Sequence, residues 1–252
     1  MTEKLRSAVM GCWAFAAMCL ATLCCPAAGA AAEVIGSARV VDGDTIVVSG
    51  GKIRLNGVDA PETDQLCLTA AGQPWTCGVE ARDRLSAVTA GKTWNCRTTA
   101  KDKYDRWLGD CLVDGVDLNG WMVEQGWALS FVRYSHRYDA HERRAREAQR
   151  GIWSGAFIAP WEWRSRSGAT VVLGSYSVPL DAQKTLLAPA TSQMASKQGC
   201  QIKGNLNRDG VCIYHVPGGR FYARTRIDES KGERWYCTPE EAHAAGCRRS
   251  LQ

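Results

Sequence analysis

The sequence predicts a mixed α+β protein, mostly β with helices, in which a small barrel of five strands carries about three helices. A linker and a small disulfide-rich module follow. Strand-like and helix-like patterns alternate through residues 33–164, residues 165–199 are rich in Ser, Ala, Thr and Gln with little periodicity, and residues 200–250 contain four cysteines. We therefore expect two folded regions joined by a flexible linker.

The N-terminus predicts export. Lys4 and Arg6 precede an apolar run over residues 9–25, and Ala28-Gly29-Ala30 offers a small-residue cleavage site. These are the three parts of a signal peptide, so we expect residues 1–30 to be removed near Ala30 and the mature chain to be secreted or periplasmic. The alternative is an uncleaved membrane anchor, because the apolar run is close to the shortest that spans a bilayer.

The composition is that of a globular protein with a modest positive charge. The 252 residues are 45% hydrophobic and 23% charged, with a formal net charge of +5. That length can form one or two domains with proper cores. The basic excess is compatible with a polyanionic partner, although many soluble proteins carry as much.

Outside the signal peptide the cysteines fall into two groups of four. They are Cys67, Cys77, Cys96, Cys111, Cys200, Cys212, Cys237 and Cys247. In an exported protein two even groups predict two disulfides in each folded region. Neither group contains a CxxC pair, which makes a zinc site the weaker interpretation.

Each element of the barrel region follows from its own pattern. Strands are predicted at 38–41, 45–48 and 53–58, where short β-branched runs surround the turn 49–52, and at 93–100, 107–113 and 128–132. Helices are predicted at 77–88, 118–125 and 139–150, the last two ending at glycines. A charged turn at 101–106 joins two of the strands.

Two acidic phrases flank an arginine in the first strands. They are Asp42-Gly43-Asp44-Thr45 and Asp59-Ala60-Pro61-Glu62-Thr63, with Arg54 between them. Singly, each phrase is typical of a turn or a strand end. Together they offer carboxylate and carbonyl oxygens to a hard cation, and such ligands suit Ca²⁺ better than Zn²⁺.

These phrases, with Asp102-Lys103-Tyr104-Asp105-Arg106 and the later Gly151-Ile152-Trp153-Ser154, carry a resemblance. The segment from Val34 to Trp163 resembles the staphylococcal (micrococcal) nuclease family, the thermonuclease-like enzymes with an OB fold. The matching phrases occur in the family's order across this whole segment. The resemblance implies a five-stranded OB barrel and the hydrolysis of phosphodiester bonds.

The resemblance also implies a role for each site residue. Asp44 and Asp59 would bind Ca²⁺ together with the Ala60 carbonyl. Glu62 would orient or deprotonate the attacking water, while Arg54 and Arg106 would hold the phosphate and neutralise charge in the transition state. Arginine suits this task because its planar fork matches two phosphate oxygens.

Two further residues are expected to contact the substrate. Lys103 would act by its charge and Tyr104 by stacking or a phosphate hydrogen bond.

Two positions depart from the pattern of the family. Family members commonly have Thr where Ala60 stands, but a backbone carbonyl ligand does not depend on the side chain. Asp105 replaces a turn glycine and adds a negative charge beside the phosphate site.

Disulfide partners follow from the predicted elements. Cys67 and Cys77 flank a loop that contains Gly and Pro, and Cys96 and Cys111 lie almost opposite each other when residues are counted outward from the 101–106 turn. We predict these two pairs. In the last region four cysteines allow three pairings, of which we favour Cys200–Cys237 with Cys212–Cys247.

The sequence and this resemblance thus predict a secreted calcium-dependent endonuclease, a hydrolase that acts on DNA and RNA with little sequence specificity. Residues 200–250 resemble a small module appended to secreted nucleases and bacterial surface proteins, a resemblance that implies no settled function. Two alternatives stay open: a nucleic-acid-binding OB-fold protein without catalysis, and an envelope-attached protein whose C-terminal module is the functional part. The sequence indicates no stable protein partner.

Overall fold

The computed structural model describes residues 32–174, 178–190 and 200–251. The predicted signal peptide, residues 1–30, lies outside this range. In the described part of the chain no helix has both the length and the apolar character needed to cross a membrane.

In the described residues, thirteen strands precede the C-terminal module. They are β1 (Ala32–Gly36), β2 (Ala38–Val40), β3 (Thr45–Val48), β4 (Gly51–Leu55), β5 (Val58–Asp59), β6 (Cys67–Leu68), β7 (Pro74–Trp75), β8 (Trp94–Lys101), β9 (Trp107–Val113), β10 (Val116–Asp117), β11 (Leu129–Ser130), β12 (Ala156–Ile158) and β13 (Val172–Gly174).

A curled, half-closed sheet is the main scaffold. Its strand order is β1-β8-β9-β4-β3-β2, with β10 paired to β9. Strand β4 runs parallel to β9, and β3 runs antiparallel to β4 with Thr45 opposite Arg54. The mixed α+β fold with an OB-like sheet is therefore confirmed.

Five α-helices lie in the described residues before the C-terminal module. They are α1 (Cys77–Thr89), α2 (Leu118–Glu124), α3 (Asp139–Glu147), α4 (Pro160–Trp163) and α5 (Leu180–Gln183). Apolar residues of α1 and α2 pack on the buried face of the sheet, where the core includes Ile46, Ile53, Leu55, Leu85, Trp94 and Met122. This packing buries the apolar face of the curled sheet.

Helix α3 and strand β11 are each three residues shorter than the sequence predicts. Helix α3 ends at Glu147 because Gln149 has a φ of 50°, in the left-handed region, which a continuing helix cannot contain. Strand β11 consists only of the two residues that pair with β5. The strand ends before Phe131, whose N–H donates to the Gly57 carbonyl at 2.9 Å.

The described part of the chain contains four disulfides, and they are the pairs named from the sequence. Cys67 is bonded to Cys77, Cys96 to Cys111, Cys200 to Cys237 and Cys212 to Cys247. Cys96 and Cys111 are direct partners in the β8–β9 register. The strand register counted from the 101–106 turn therefore agrees with the structure.

Part of segment 165–199 packs against the strands that precede it. Strand β13 pairs with β12, placing Val172 opposite Ile158. Leu186 is fully buried in an apolar cluster that includes Trp163. The division of the chain into a nuclease-like region, a linker and a module stays a prediction.

The C-terminal module has its own small sheet and one helix. Its elements are β14 (Ile202–Leu206), β15 (Cys212–His215), β16 (Arg234–Tyr236), α6 (Pro239–Ala244) and β17 (Arg248–Arg249), with the sheet in the order β16-β14-β15-β17. Charged contacts join the module to α1. Arg82 forms ion pairs with Asp83 and Glu229, and Arg234 donates to Ser86 Oγ at 3.2 Å.

Candidate active site

Asp44 immediately precedes strand β3, and its side chain is buried. The residue is 4% exposed, and its Oδ2 accepts a hydrogen bond from the Ala60 N–H at 3.0 Å. Its Oδ1 accepts from the Thr45 hydroxyl at 3.0 Å. The Asp42 carboxylate accepts from the Asp44 N–H at 3.0 Å, which is the local bond of an Asx turn. The first acidic phrase is therefore a tight turn that holds Asp44 beside the second phrase.

Arg54 lies between the two acidic phrases. It stands on β4 directly opposite Thr45, so its guanidinium reaches both neighbours. The Nη1 atom is 2.5 Å from Asp44 Oδ1, and the Nη2 atom is 2.7 Å from Asp59 Oδ1. The side chain is only 13% exposed. Arg54 thus neutralises part of the charge of two buried carboxylates.

Asp59 is the most deeply buried acid of the cluster. It ends the two-residue strand β5 and is 0% exposed. Glu62 follows three residues later with a side chain that is 34% exposed. Its N–H donates to Gln65 Oε1 at 3.3 Å, and the Gln65 amide donates to the Ile158 carbonyl at 2.7 Å. Strand β12 therefore anchors the loop that carries Glu62.

Arg106 reaches the cluster from the β8–β9 turn. Its Nη1 donates to the Thr45 hydroxyl at 3.3 Å, and its Nη2 forms an ion pair with Asp102 at 2.7 Å. Asp105 has a φ of 61°, which an aspartate tolerates better than most side chains. Its carboxylate pairs with Lys101 at 2.6 Å, so the extra negative charge of this turn has a lysine partner.

The expected substrate-contact residues lie on the same turn. Tyr104 is 66% exposed, and its ring lies 5.3 Å from the Arg106 guanidinium carbon. The Lys103 ammonium lies 4.9 Å from the same ring. An exposed aromatic ring beside two cations is typical of a nucleic-acid contact surface.

A third arginine, which the sequence analysis did not identify, completes the cluster. Arg164 caps helix α4, and its Nη2 donates to Asp59 Oδ2 at 2.6 Å. Its Nη1 donates to Asp59 Oδ1 at 3.1 Å and to Glu62 Oε1 at 2.7 Å. Arg164 lies 105 residues from Asp59 in the chain, and no spacing rule links residues so far apart.

The buried carboxylates have shifted pKa values. Burial first, and then the nearby charge of Asp44, raise the pKa of Asp42 to about 7. Burial likewise raises the pKa of Asp59 and of Glu62 against the opposing effect of Arg164. For Asp44 burial acts in the same direction, but Arg54 and the Ala60 N–H outweigh it and lower the pKa. Such opposed shifts within one cluster are typical of functional sites.

The oxygen atoms of the proposed metal ligands are of the type that a hard cation prefers. Asp44, Asp59 and the Ala60 carbonyl supply only oxygen, which is the ligand type of Ca²⁺. Within the described ranges, however, no group of three or more His, Cys, Asp or Glu side chains is arranged to hold a metal ion. Both oxygens of Asp59 instead accept hydrogen bonds from arginines. The residues therefore fit calcium by their chemistry, and Arg164 occupies donor atoms that the ion would need.

Comparison with known proteins gives a consistent result. The model of the family described as staphylococcal nuclease homologue matches residues 52–155. Succinoglycan biosynthesis protein ExoI of Rhizobium meliloti (strain 1021) is 38% identical over 129 residues, which are 50% of this chain and 68% of that protein. Asp44 and Arg164 both lie outside the range of the family model.

Two plant proteins are also similar. The probable staphylococcal-like nuclease CAN1 of Oryza sativa subsp. japonica is 30% identical over 125 residues, 48% of this chain and 35% of that protein. The staphylococcal-like nuclease CAN1 of Arabidopsis thaliana is 32% identical over 116 residues, 45% of this chain and 33% of that protein. The chain therefore spans about two thirds of the bacterial relative and about one third of each plant relative.

Proposed function

Since this chain belongs to the family of staphylococcal nuclease homologues, we propose that it is a secreted, calcium-dependent endonuclease that hydrolyses DNA and RNA with little sequence specificity. The observation that supports this proposal best is the convergence of Asp44, Arg54 and Asp59, whose side chains are joined by ion pairs of 2.5 and 2.7 Å. Glu62 and Arg106 border this cluster from two separate loops. A protein that only bound nucleic acid would not need buried acids between arginines.

Each side chain has a task in phosphodiester hydrolysis. Glu62 removes the proton from the attacking water, and burial raises its pKa, which makes the carboxylate a better base. Arg54 and Arg106 hold the phosphate oxygens where negative charge increases in the transition state. Arg54 is rigidly placed by its strand, whereas Arg106 is presented by a turn that the Cys96–Cys111 disulfide supports.

Calcium would be held by Asp44, Asp59 and the Ala60 carbonyl. When bound, the ion supplies Lewis-acid stabilisation of the negative charge on the phosphate. Asp44 accepts a hydrogen bond from the Ala60 N–H at 3.0 Å, so the residue that offers the carbonyl ligand is bonded directly to one of the carboxylate ligands.

Nucleic acid is the proposed substrate because the surface beside the cluster is basic and aromatic. Tyr104 offers an exposed ring for stacking, and Lys103 offers a charge for a backbone phosphate. Ring stacking and contacts to backbone phosphates are insensitive to sequence, in agreement with low sequence specificity. Four disulfides support export, because such bonds persist in oxidising compartments.

A digestion assay tests this proposal. Purified mature chain is incubated with single-stranded DNA, double-stranded DNA and RNA, first with Ca²⁺ and then with excess chelator. We expect cleavage of all three substrates with Ca²⁺, loss of cleavage with chelator, and recovery when Ca²⁺ is restored. Retention of the substrate without any cleavage would instead support the binding-only alternative. Undiminished cleavage in chelator would contradict the calcium requirement.

A further inference from the structure

Arg164 donates hydrogen bonds to two acids that have different tasks in the proposed reaction. Its guanidinium donates to both oxygens of Asp59, a proposed calcium ligand, and to one oxygen of Glu62, the proposed base. The three hydrogen bonds are 2.6 to 3.1 Å long. A guanidinium with this many short carboxylate contacts is tightly bound.

We propose that Arg164 is a built-in competitor of the divalent cation. In the metal-free protein its guanidinium holds Asp59 and Glu62, and calcium must displace it to enter the site. This inference rests on the proposed calcium dependence. Arg164, which lies outside the residues matched by the family model, would then set the calcium concentration at which the site fills.

The charges of the cluster favour such an exchange. Three carboxylates, those of Asp44, Asp59 and Glu62, are hydrogen-bonded to two arginines, Arg54 and Arg164. Three negative charges thus face two positive charges in this network. Replacing the single charge of Arg164 by a doubly charged ion brings the site closer to neutrality.

Arg164 can leave more easily than Arg54. Arg54 is 13% exposed and belongs to β4, which has a paired strand on each side. Arg164 is 41% exposed and follows a helix of only four residues. Asp59 keeps the Arg54 hydrogen bond of 2.7 Å when Arg164 departs, so the buried carboxylate is not left without a partner.

The backbone around Arg164 is anchored, so the side chain alone needs to move. Trp163 is 5% exposed and packs in the cluster that contains Leu186. Arg166 lies 3.9 Å from the centre of the Trp163 ring and donates to the Leu187 carbonyl at 2.7 Å. These contacts fix the backbone of the segment that carries Arg164 beside the cluster.

Calcium binding by the mature protein, measured by calorimetry after removal of metal with a chelator, tests the inference. Arg164→Gln removes the charge, and Arg164→Lys keeps the charge but loses the fork that binds two oxygens. Arg143→Gln is the matched control, because Arg143 is an exposed arginine on α3. Circular dichroism confirms that each variant is folded.

We expect Arg164→Gln to bind Ca²⁺ about 10-fold more tightly than wild type, because a positive charge no longer opposes the ion. Arg164→Lys should lie between the two, and Arg143→Gln should equal wild type. Unchanged or weaker Ca²⁺ binding in Arg164→Gln would overturn the inference, as would an absence of Ca²⁺ binding in all four proteins. If Arg164→Gln does not fold, a wild-type affinity in Arg164→Lys overturns it.

The same samples separate this inference from the proposed function. Tighter Ca²⁺ binding in Arg164→Gln without any cleavage of nucleic acid by wild type would support the competition between Arg164 and Ca²⁺. It would reject the proposed nuclease activity. Calcium-dependent cleavage by wild type, with equal Ca²⁺ affinity in wild type and Arg164→Gln, would support the nuclease activity. It would reject the competition between Arg164 and Ca²⁺.

Discussion

Gly43 and Ala60 are in contact at the point where the two acidic phrases meet. A Cβ atom built on Gly43 would lie 2.6 Å from the Ala60 Cβ and 3.2 Å from the Ala81 Cβ. No side chain fits there without displacing one of the two phrases. The glycine between Asp42 and Asp44 is therefore required for close approach, which brings Asp44 within hydrogen-bonding distance of the Ala60 N–H.

Gly43→Ala tests this contact. We expect the free energy of unfolding to fall by about 1–3 kcal/mol, because the added methyl group overpacks a buried contact. Nuclease activity should fall further than stability explains, since the displaced phrases carry Asp44 and Ala60. Urea denaturation and a digestion assay measure the two effects. Gly168→Ala is a control for the added methyl group in open space, and equal activity of both variants would contradict the assignment.

Removal of one proposed ligand charge should weaken the calcium site. Asp44→Asn and Asp59→Asn each replace a hard anionic oxygen ligand, so each should raise the Ca²⁺ concentration that gives half-maximal cleavage. The measurement is a calcium titration of cleavage rate. Asp114→Asn, at a side chain that is 63% exposed, should leave the titration unchanged. An unchanged half-maximal concentration in both ligand variants would reject these ligands.

The ion pair between Arg82 and Glu229 should stabilise the attachment of the C-terminal module. Arg82 is 1% exposed, and burial raises the pKa of Glu229 against the opposing effect of Arg82. Arg82→Ala leaves a buried acid without its partner, so we expect a loss of about 3–5 kcal/mol in unfolding free energy. Arg84→Ala, at a side chain 57% exposed, is the control and should cost well under 1 kcal/mol, as is usual at the surface. Similar denaturation curves for the two variants would contradict this contact.

The Cys96–Cys111 disulfide should support both stability and catalysis. The bond closes a loop with a sequence separation of 15 residues, for which the chain-entropy model gives about 3 kcal/mol. The double change Cys96→Ser and Cys111→Ser should lower the melting temperature and reduce turnover, because the loop presents Arg106. Peptide mapping of the unreduced protein checks the pairing, and free thiols at both positions would show that the bond is absent.

Much of the fold could be predicted because it depends on local patterns. Strand β9 has the predicted bounds, and α1 ends one residue later than predicted, since alternation and helical periodicity are visible within short windows. The 101–106 turn fixed the register that places Cys96 opposite Cys111. Contacts between segments far apart in the chain could not be predicted from such local patterns. Arg164 reaches Asp59 only because β12 pairs with β6 and leads into α4, and Arg82 meets Glu229 across 147 residues.

The most direct test of the central claim is the turnover of Glu62→Gln on single-stranded DNA with saturating Ca²⁺. Gln keeps the shape of the side chain but cannot accept the proton of the attacking water, so we expect kcat to fall by ~100-fold or more while substrate binding changes much less. Arg106→Ala should give a loss of similar size, because it removes charge stabilisation in the transition state. Glu147→Gln and Arg143→Ala, at exposed positions on α3, are the matched controls and should keep wild-type turnover. Wild-type turnover in Glu62→Gln or in Arg106→Ala would contradict the assignment of this cluster as the active site.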